Sequence, residues 1–113
     1  AMTVERGEII KINLNPTQGR EQSGNARPCL VISNTKYNAK RQGIVVVMPI
    51  TSTMKPDVKM MIPLPPEAKV YGSVIAEQVR TVDLNKRWWV TTAEVLPKSW
   101  VDEVVDILGL IIH

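Results

Sequence analysis

The 113 residues specify a mainly β chain that ends in one helix: a small, strongly twisted barrel or sheet, with the helix plugging one side. Three features point there. Short runs rich in β-branched residues alternate at period two or are apolar throughout. Clusters of Pro, Gly, Asn and Thr separate those runs. Only the last stretch changes to helical period.

The elements follow in chain order. GEIIKINL (7–14) places Ile10, Ile12 and Leu14 on one side and Ile9, Lys11 and Asn13 on the other, the pattern of a half-buried strand. NPTQG (15–19) is turn chemistry: Pro16 fixes φ, and Gly19 allows a positive φ. CLVIS (29–33) reads as the next strand, and NTKYNAKRQG (34–43) as a polar, basic connection. IVVVMPI (44–50) is nearly all apolar, so it reads as a central strand covered on both faces, with Pro49 limiting ladder donation near its end. TSTMKPDVK (51–59) is a loop, MMIPL (60–64) suits an edge because of Pro63, and PPEAKVYG (65–72) is a second loop. SVIAEQVRTVDL (73–84) reads as one long strand, with Val74, Ala76, Gln78 and Arg80 on one face. Ile75, Glu77, Val79 and Thr81 take the other face, and a kink near Glu77 would alter that parity. RWWVTTAEV (87–95) is a last strand, or a strand and turn. In LPKSWVDEVVDILGLII (96–112), Trp100, Val101, Val104, Val105, Leu108, Ile111 and Ile112 form a stripe at helical spacing, opposite Asp102, Glu103 and Asp106. Pro97 suits the first helical turn. About six strands and one helix result, in a single domain over residues 1–113.

Composition narrows the function. With 44% hydrophobic and 22% charged residues the chain is of ordinary globular type. No apolar stretch approaches the ~20 residues of a membrane span, and the N-terminal region lacks a signal-like apolar core, so a cytoplasmic protein is expected. Residues 1–93 carry thirteen Lys or Arg against seven Asp or Glu, whereas residues 94–113 carry one against four. A basic body with an acidic tail is compatible with a polyanionic partner. The lone Cys29 excludes an internal disulfide and a Cys-based metal cluster, and it suits a small buried residue. The only histidine is His113, which excludes a Ser-His-Asp triad and a nuclease built on a His pair. No spacing of carboxylates and histidine resembles a metal site, and no Gly-rich phosphate loop opens a helix.

Three polar clusters stand at strand ends: Glu21, Gln22 and Arg27; Thr51 and Ser52; and Glu77, Gln78 and Arg80. These groups suit RNA cleavage by attack of a 2′-OH on the adjacent phosphate. Arg27 supplies a fixed charge and a donor fork matched to phosphate. Thr51 or Ser52 can donate to the developing charge. Glu77 can serve as base if partial burial raises its pKa. Structural roles compete with each assignment. Arg27 can pair with Glu21 or Glu77, Thr51 and Ser52 are common turn residues, and a carboxylate at 77 can face solvent on an edge. Of Trp88 and Trp89, one suits the core and the other a stacking or dimer-sealing role.

The segment RGEIIKINLNPTQGREQSGNARPCLVIS (6–33) resembles the opening of the MazF/PemK/Kid family of toxin–antitoxin ribonucleases. The matching elements are Arg6-Gly7-Glu8, Asn15-Pro16-Thr17, Gly19, Glu21-Gln22, Gly24 and Arg27-Pro28, ahead of an apolar strand. VVVMPITS (45–52) and GSVIAEQVRTVDL (72–84) resemble the second and third blocks, in family order. The resemblance implies an SH3-like twisted β-barrel with a C-terminal helix, working as a homodimer. It implies metal-independent, sequence-specific cleavage of single-stranded RNA, needing no cofactor and leaving a 2′,3′-cyclic phosphate and a 5′-OH. It also implies inhibition of translation and growth, and control by a cognate antitoxin whose disordered segment fills the RNA groove. Arg27, Thr51 and Glu77 match the catalytic positions. Gly19, Glu21, Ser52, Gln78 and Arg80 match positions of the RNA groove.

Two departures bear on mechanism. Some relatives place an arginine acid two residues before the Asp/Glu position; here that residue is Ile75, so Arg27 carries more of the phosphate chemistry. The Gly24–Arg27 loop is one residue longer than in several relatives. The alternative from another class is a CcdB-type toxin, whose similar barrel poisons DNA gyrase by binding alone; the tail LGLIIH lacks that group's Trp-Gly-Ile ending. An SH3-like module that binds RNA or protein passively is a third option.

Overall fold

The computed structural model describes residues 3–14, 26–53 and 60–112. Within them lie strands β1 (Glu8–Asn13), β2 (Ala26–Val31), β3 (Ile44–Thr51), β4 (Met61–Pro63), β5 (Ser73–Ile75), β6 (Arg80–Asp83) and β7 (Trp89–Val95). Helix α1 (Thr35–Arg41) sits between β2 and β3, and α2 (Lys98–Ile112) ends the chain. The strand order is β4-β5-β3-β2-β1-β7, with β6 also paired to β3, and every pairing is antiparallel.

β3 organises the molecule. Val45, Val47 and Pro49 alternate with Val46, Met48 and Ile50, so the strand feeds two cores. One core joins Ile9, Leu30, Met48, Ile50 and Val74 to Val101 and Val104 of α2. The other joins Ile10, Ile12, Cys29, Val31, Val45, Val47 and Val82. The central strand is thus covered on both faces, as its apolar run implies. The last residues of β3 change partner: Ile44–Val47 pair with β6, whereas Ile50 and Thr51 pair with β5. A strand shared in this way bends the sheet on itself.

Three expectations are corrected. β1 is not half-buried: of its six residues only Lys11 is exposed, because β1 lies between β2 and β7 with a core on each face. The run 73–84 is two strands, divided by a 3₁₀ turn at Ala76–Gln78. Val74, Ile75 and Ala76 are consequently buried in succession, and strict alternation is lost. Residues 34–43 contain a helix. Asn34 caps α1 by accepting from Lys36 N at 2.8 Å, and the chain leaves it through Gln42 and Gly43, both at positive φ. Its single buried side chain, Asn38, donates to the carbonyls of Val4 and Ser33. A helix anchored by one amide has no apolar stripe to reveal it.

α2 follows the expected stripe through Val101 and Val104, with Trp100, Val105 and Leu108 against the core. Trp100 Nε1 donates to the Pro63 carbonyl at 3.2 Å and ties the helix to β4. The last turn departs from the pattern: Ile111 and Ile112 are exposed.

Candidate active site

The site begins where a ladder stops. β2 and β3 pair at Val31–Val47, Leu30–Met48 and Cys29–Pro49. Beyond that point the next residues are Pro28 and Ile50, and the recorded pairing ends. Neither Pro28 nor Pro49 has an N–H to donate, so two adjacent strands lose rungs at one place. β2 continues on β1 alone, through Pro28–Lys11 and Arg27–Ile12. β3 turns to β5 through Thr51–Ser73. Continuing the β2–β3 register by two residues sets Arg27 across from Thr51, and there the strands leave a cleft of about 360 Å³. Arg27, Pro28, Thr51, Ser52 and Tyr71 are among its walls.

Each side chain is placed by its element. Arg27 is exposed, on the same strand face as buried Cys29 and Val31. Thr51 is buried, and its Oγ1 accepts from Thr53 N at 3.1 Å, which fixes the turn leaving β3. That hydroxyl also points at the Thr53 carbonyl at 3.4 Å, a long contact that an incoming anion can replace. Ser52 is exposed beside it. The 3₁₀ turn carries Gln78 to a second cleft of about 330 Å³, which Leu14, Pro49 and Arg80 complete with Arg27. Arg27 therefore borders both clefts and joins the Thr51–Ser52 cluster to the Gln78–Arg80 cluster.

The charge there is mainly positive. Burial pushes the Cys29 thiol up to about 12, against the opposing pull of Arg27 and then Arg80. Two guanidinium groups thus flank one buried residue. Arg87 adds a third: it donates to the Asn13 carbonyl at 3.1 Å, and its own pKa is lowered, first by desolvation and then by Arg80, with Asp83 opposing. Among the described residues none of the three has a carboxylate within ion-pairing distance. The competing Arg27–Glu77 pair is accordingly not formed. Converging cations with no ion-paired carboxylate among the described residues can attract an anion.

Glu77 stands apart from this group. It is exposed on the 3₁₀ turn and accepts from Met60 N at 3.2 Å, and it lines neither cleft, although Gln78 beside it does. Gly19 and Glu21 lie outside the described residues. Trp89 packs against the second core, and Trp88 is half-buried with its carbonyl accepting from Asn13 N. Sequence reasoning passed over Arg87 and Tyr71. Arg87 was visible only as one cation in a basic run, and Tyr71 as one aromatic before a glycine.

Residues 5–112 match the model of the PemK-like, MazF-like toxin of type II toxin–antitoxin systems. The chain belongs to that family. Among relatives of this PemK/MazF-type chain, the endoribonuclease toxin ChpB of Escherichia coli is 37% identical over 86 residues, spanning 74% of this chain and 72% of the relative. The endoribonuclease PemK of Escherichia coli is 31% identical over 112 residues, 96% of this chain and 82% of its own. Among solved structures, MazF of Deinococcus radiodurans superposes with a TM-score of 0.77 at 31% identity, covering 99% of this chain and 98% of the other. The same TM-score is reached by a MazE–MazF complex from that organism, at 27% identity, covering 100% of this chain and 98% of the other. The mainly antiparallel β fold closed by a C-terminal helix is therefore that of MazF toxins.

Proposed function

We propose that this PemK/MazF-family toxin is an endoribonuclease that cuts single-stranded RNA, acting as a homodimer in the cytoplasm and silenced by a cognate antitoxin. One observation carries the reading: Arg27 and Thr51, from separate strands, wall a single cleft opened where the β2–β3 ladder ends. The relatives named as endoribonucleases and the MazE–MazF complex support activity and antitoxin control. Among the described residues no helix is long and apolar enough to cross a membrane.

In this reading the scissile phosphate enters between Arg27 and Thr51. The Arg27 fork holds the non-bridging oxygens, and the Thr51 hydroxyl donates to the charge that grows as phosphorus becomes five-coordinate. Arg80 supplies positive field from the neighbouring cleft, with Arg87 acting on it from beyond that cleft, and Ser52 and Gln78 hold the flanking nucleotides. Glu77 is the carboxylate assigned to take the 2′ proton; it lies outside both clefts and accepts from Met60 N, so this role requires its side chain to leave Met60 and swing toward the bound ribose. The 2′ oxygen closes on phosphorus, the bond from phosphorus to the 5′ oxygen breaks, that oxygen takes a proton from water, and a 2′,3′-cyclic phosphate remains. None of these roles requires a metal. Gly19 and Glu21, which match RNA-groove positions of the family, are assigned to contact with the RNA.

The test is mapping of cleavage ends on a long unstructured RNA, with and without EDTA. Cuts at a short recurring sequence, 5′-OH and cyclic phosphate ends, and indifference to EDTA are expected. A substrate with 2′-deoxyribose at the cut site should stay whole; its cleavage would disprove attack by the 2′ oxygen. Intact RNA in every condition would remove the nuclease reading.

A further inference from the structure

We infer that Tyr71 is a stacking platform for a nucleobase adjoining the scissile phosphate, and that the recess behind its ring receives that base. This rests on the RNA-cleaving reading above and adds to it a subsite for the base.

Tyr71 is 83% exposed, so its ring contributes little to either core. Its position is nevertheless fixed. Gly72 follows it at φ +135°, with its backbone so near Thr51 that an added Cβ would lie 2.2 Å from the Thr51 carbonyl oxygen. Ser73 then pairs with Thr51, and the Gly72 carbonyl accepts from Leu64 N at 3.0 Å. An exposed aromatic is thus carried on a backbone locked to the residue assigned to phosphate.

Tyr71 borders two hollows. One is the Arg27–Thr51 cleft. The other is a recess of about 470 Å³ lined also by Pro63, Leu64, Pro65, Pro66 and Lys69. A nucleotide has the same two parts, an anionic phosphate and, one sugar away, a flat ring with apolar faces. Single-stranded RNA is gripped by stacking such bases on aromatic side chains beside cationic groups. Prolines and a tyrosine lining one recess offer apolar surface suited to the flat face of a base.

The experiment measures kcat/KM for wild type, Tyr71→Phe and Tyr71→Ala on a short RNA bearing the mapped cut site. Two further RNAs carry an abasic ribose immediately 5′ or 3′ of the cut. Tyr71→Ala should lose about 5- to 150-fold on intact RNA, the range one base–aromatic stack supplies, while Tyr71→Phe keeps the wild-type value. One abasic RNA should slow wild type by a similar factor, and on that RNA Tyr71→Ala should lose nothing more, since ring and base act as one pair. Tyr71→Ala that matches wild type, or that loses as much on both abasic RNAs as on intact RNA, overturns the inference. Wild type that leaves the RNA whole overturns the nuclease reading with it. Wild type that cuts while Tyr71→Ala cuts equally well overturns the stacking role alone.

Discussion

Gly72→Ala is the substitution that couples the fold most directly to the cleft. At φ +135° an L side chain is strained, which costs about 1–3 kcal/mol. The new Cβ would also stand 2.2 Å from the Thr51 carbonyl oxygen, 2.8 Å from its carbon and 3.2 Å from Ser52 Cα. All three are backbone atoms, so no rotamer change relieves the overlap, and forced repacking adds about 1–3 kcal/mol. A loss of about 2–6 kcal/mol follows, or roughly 8–25 °C in melting temperature for a chain of this size. The least costly relief moves the Thr51–Ser52 backbone away from Arg27, so cleavage per folded molecule at 25 °C should also fall, by on the order of 100-fold for a displacement near 1 Å. Gly43→Ala is the matched control. Gly43 also has positive φ, but there the Cβ meets the Asn85 side-chain amide, far along the chain from the cleft. It should lower stability and leave the rate of the folded fraction unchanged. Urea denaturation and initial cleavage rates on RNA read the two effects separately. Gly72→Ala with wild-type melting and wild-type cleavage would refute the packing of Gly72 on Thr51 as the support of the site.

Three further outcomes are expected. Arg27→Ala should abolish cleavage and leave the unfolding free energy within about 0.5 kcal/mol of wild type, since Arg27 is exposed; full activity would end its assignment. Cys29 should make stability fall at high pH. Its folded pKa of about 12 exceeds the ordinary 9.0, so the folded chain keeps a proton the unfolded chain releases, and stability is complete below pH 9 and lost as pH rises toward 12. The loss reaches about 4 kcal/mol, and Cys29→Ala should flatten that slope in denaturation curves between pH 8 and 11; identical slopes would contradict it. Asn38→Ala strands the Val4 and Ser33 carbonyls that its amide serves and should cost about 2–4 kcal/mol by urea titration, against a near-neutral result if α1 were a surface appendage.

The sequence by itself determined the β character, the doubly covered central strand and the stripe of α2, because each is a local periodicity enforced by burial. It also singled out Arg27, Thr51, Ser52 and Arg80 through their residue types at strand ends. What it left undecided depended on groups distant in the chain. The break at Ala76–Gln78 arises because β3 hands its edge from β6 to β5, and the missed helix α1 is held by contacts reaching back to the N-terminal segment, Asn38 to Val4 and Thr35 to Arg6. The cleft itself needs Pro28 and Pro49 to fall on successive rungs of neighbouring strands, a coincidence of register that no single stretch encodes. Tertiary structure alone put three guanidinium groups around one end of the sheet, set Tyr71 at its lip and left Glu77 outside both clefts. Periodicity reports which face of an element is covered; only pairing between strands decides which charged side chains come to share one pocket.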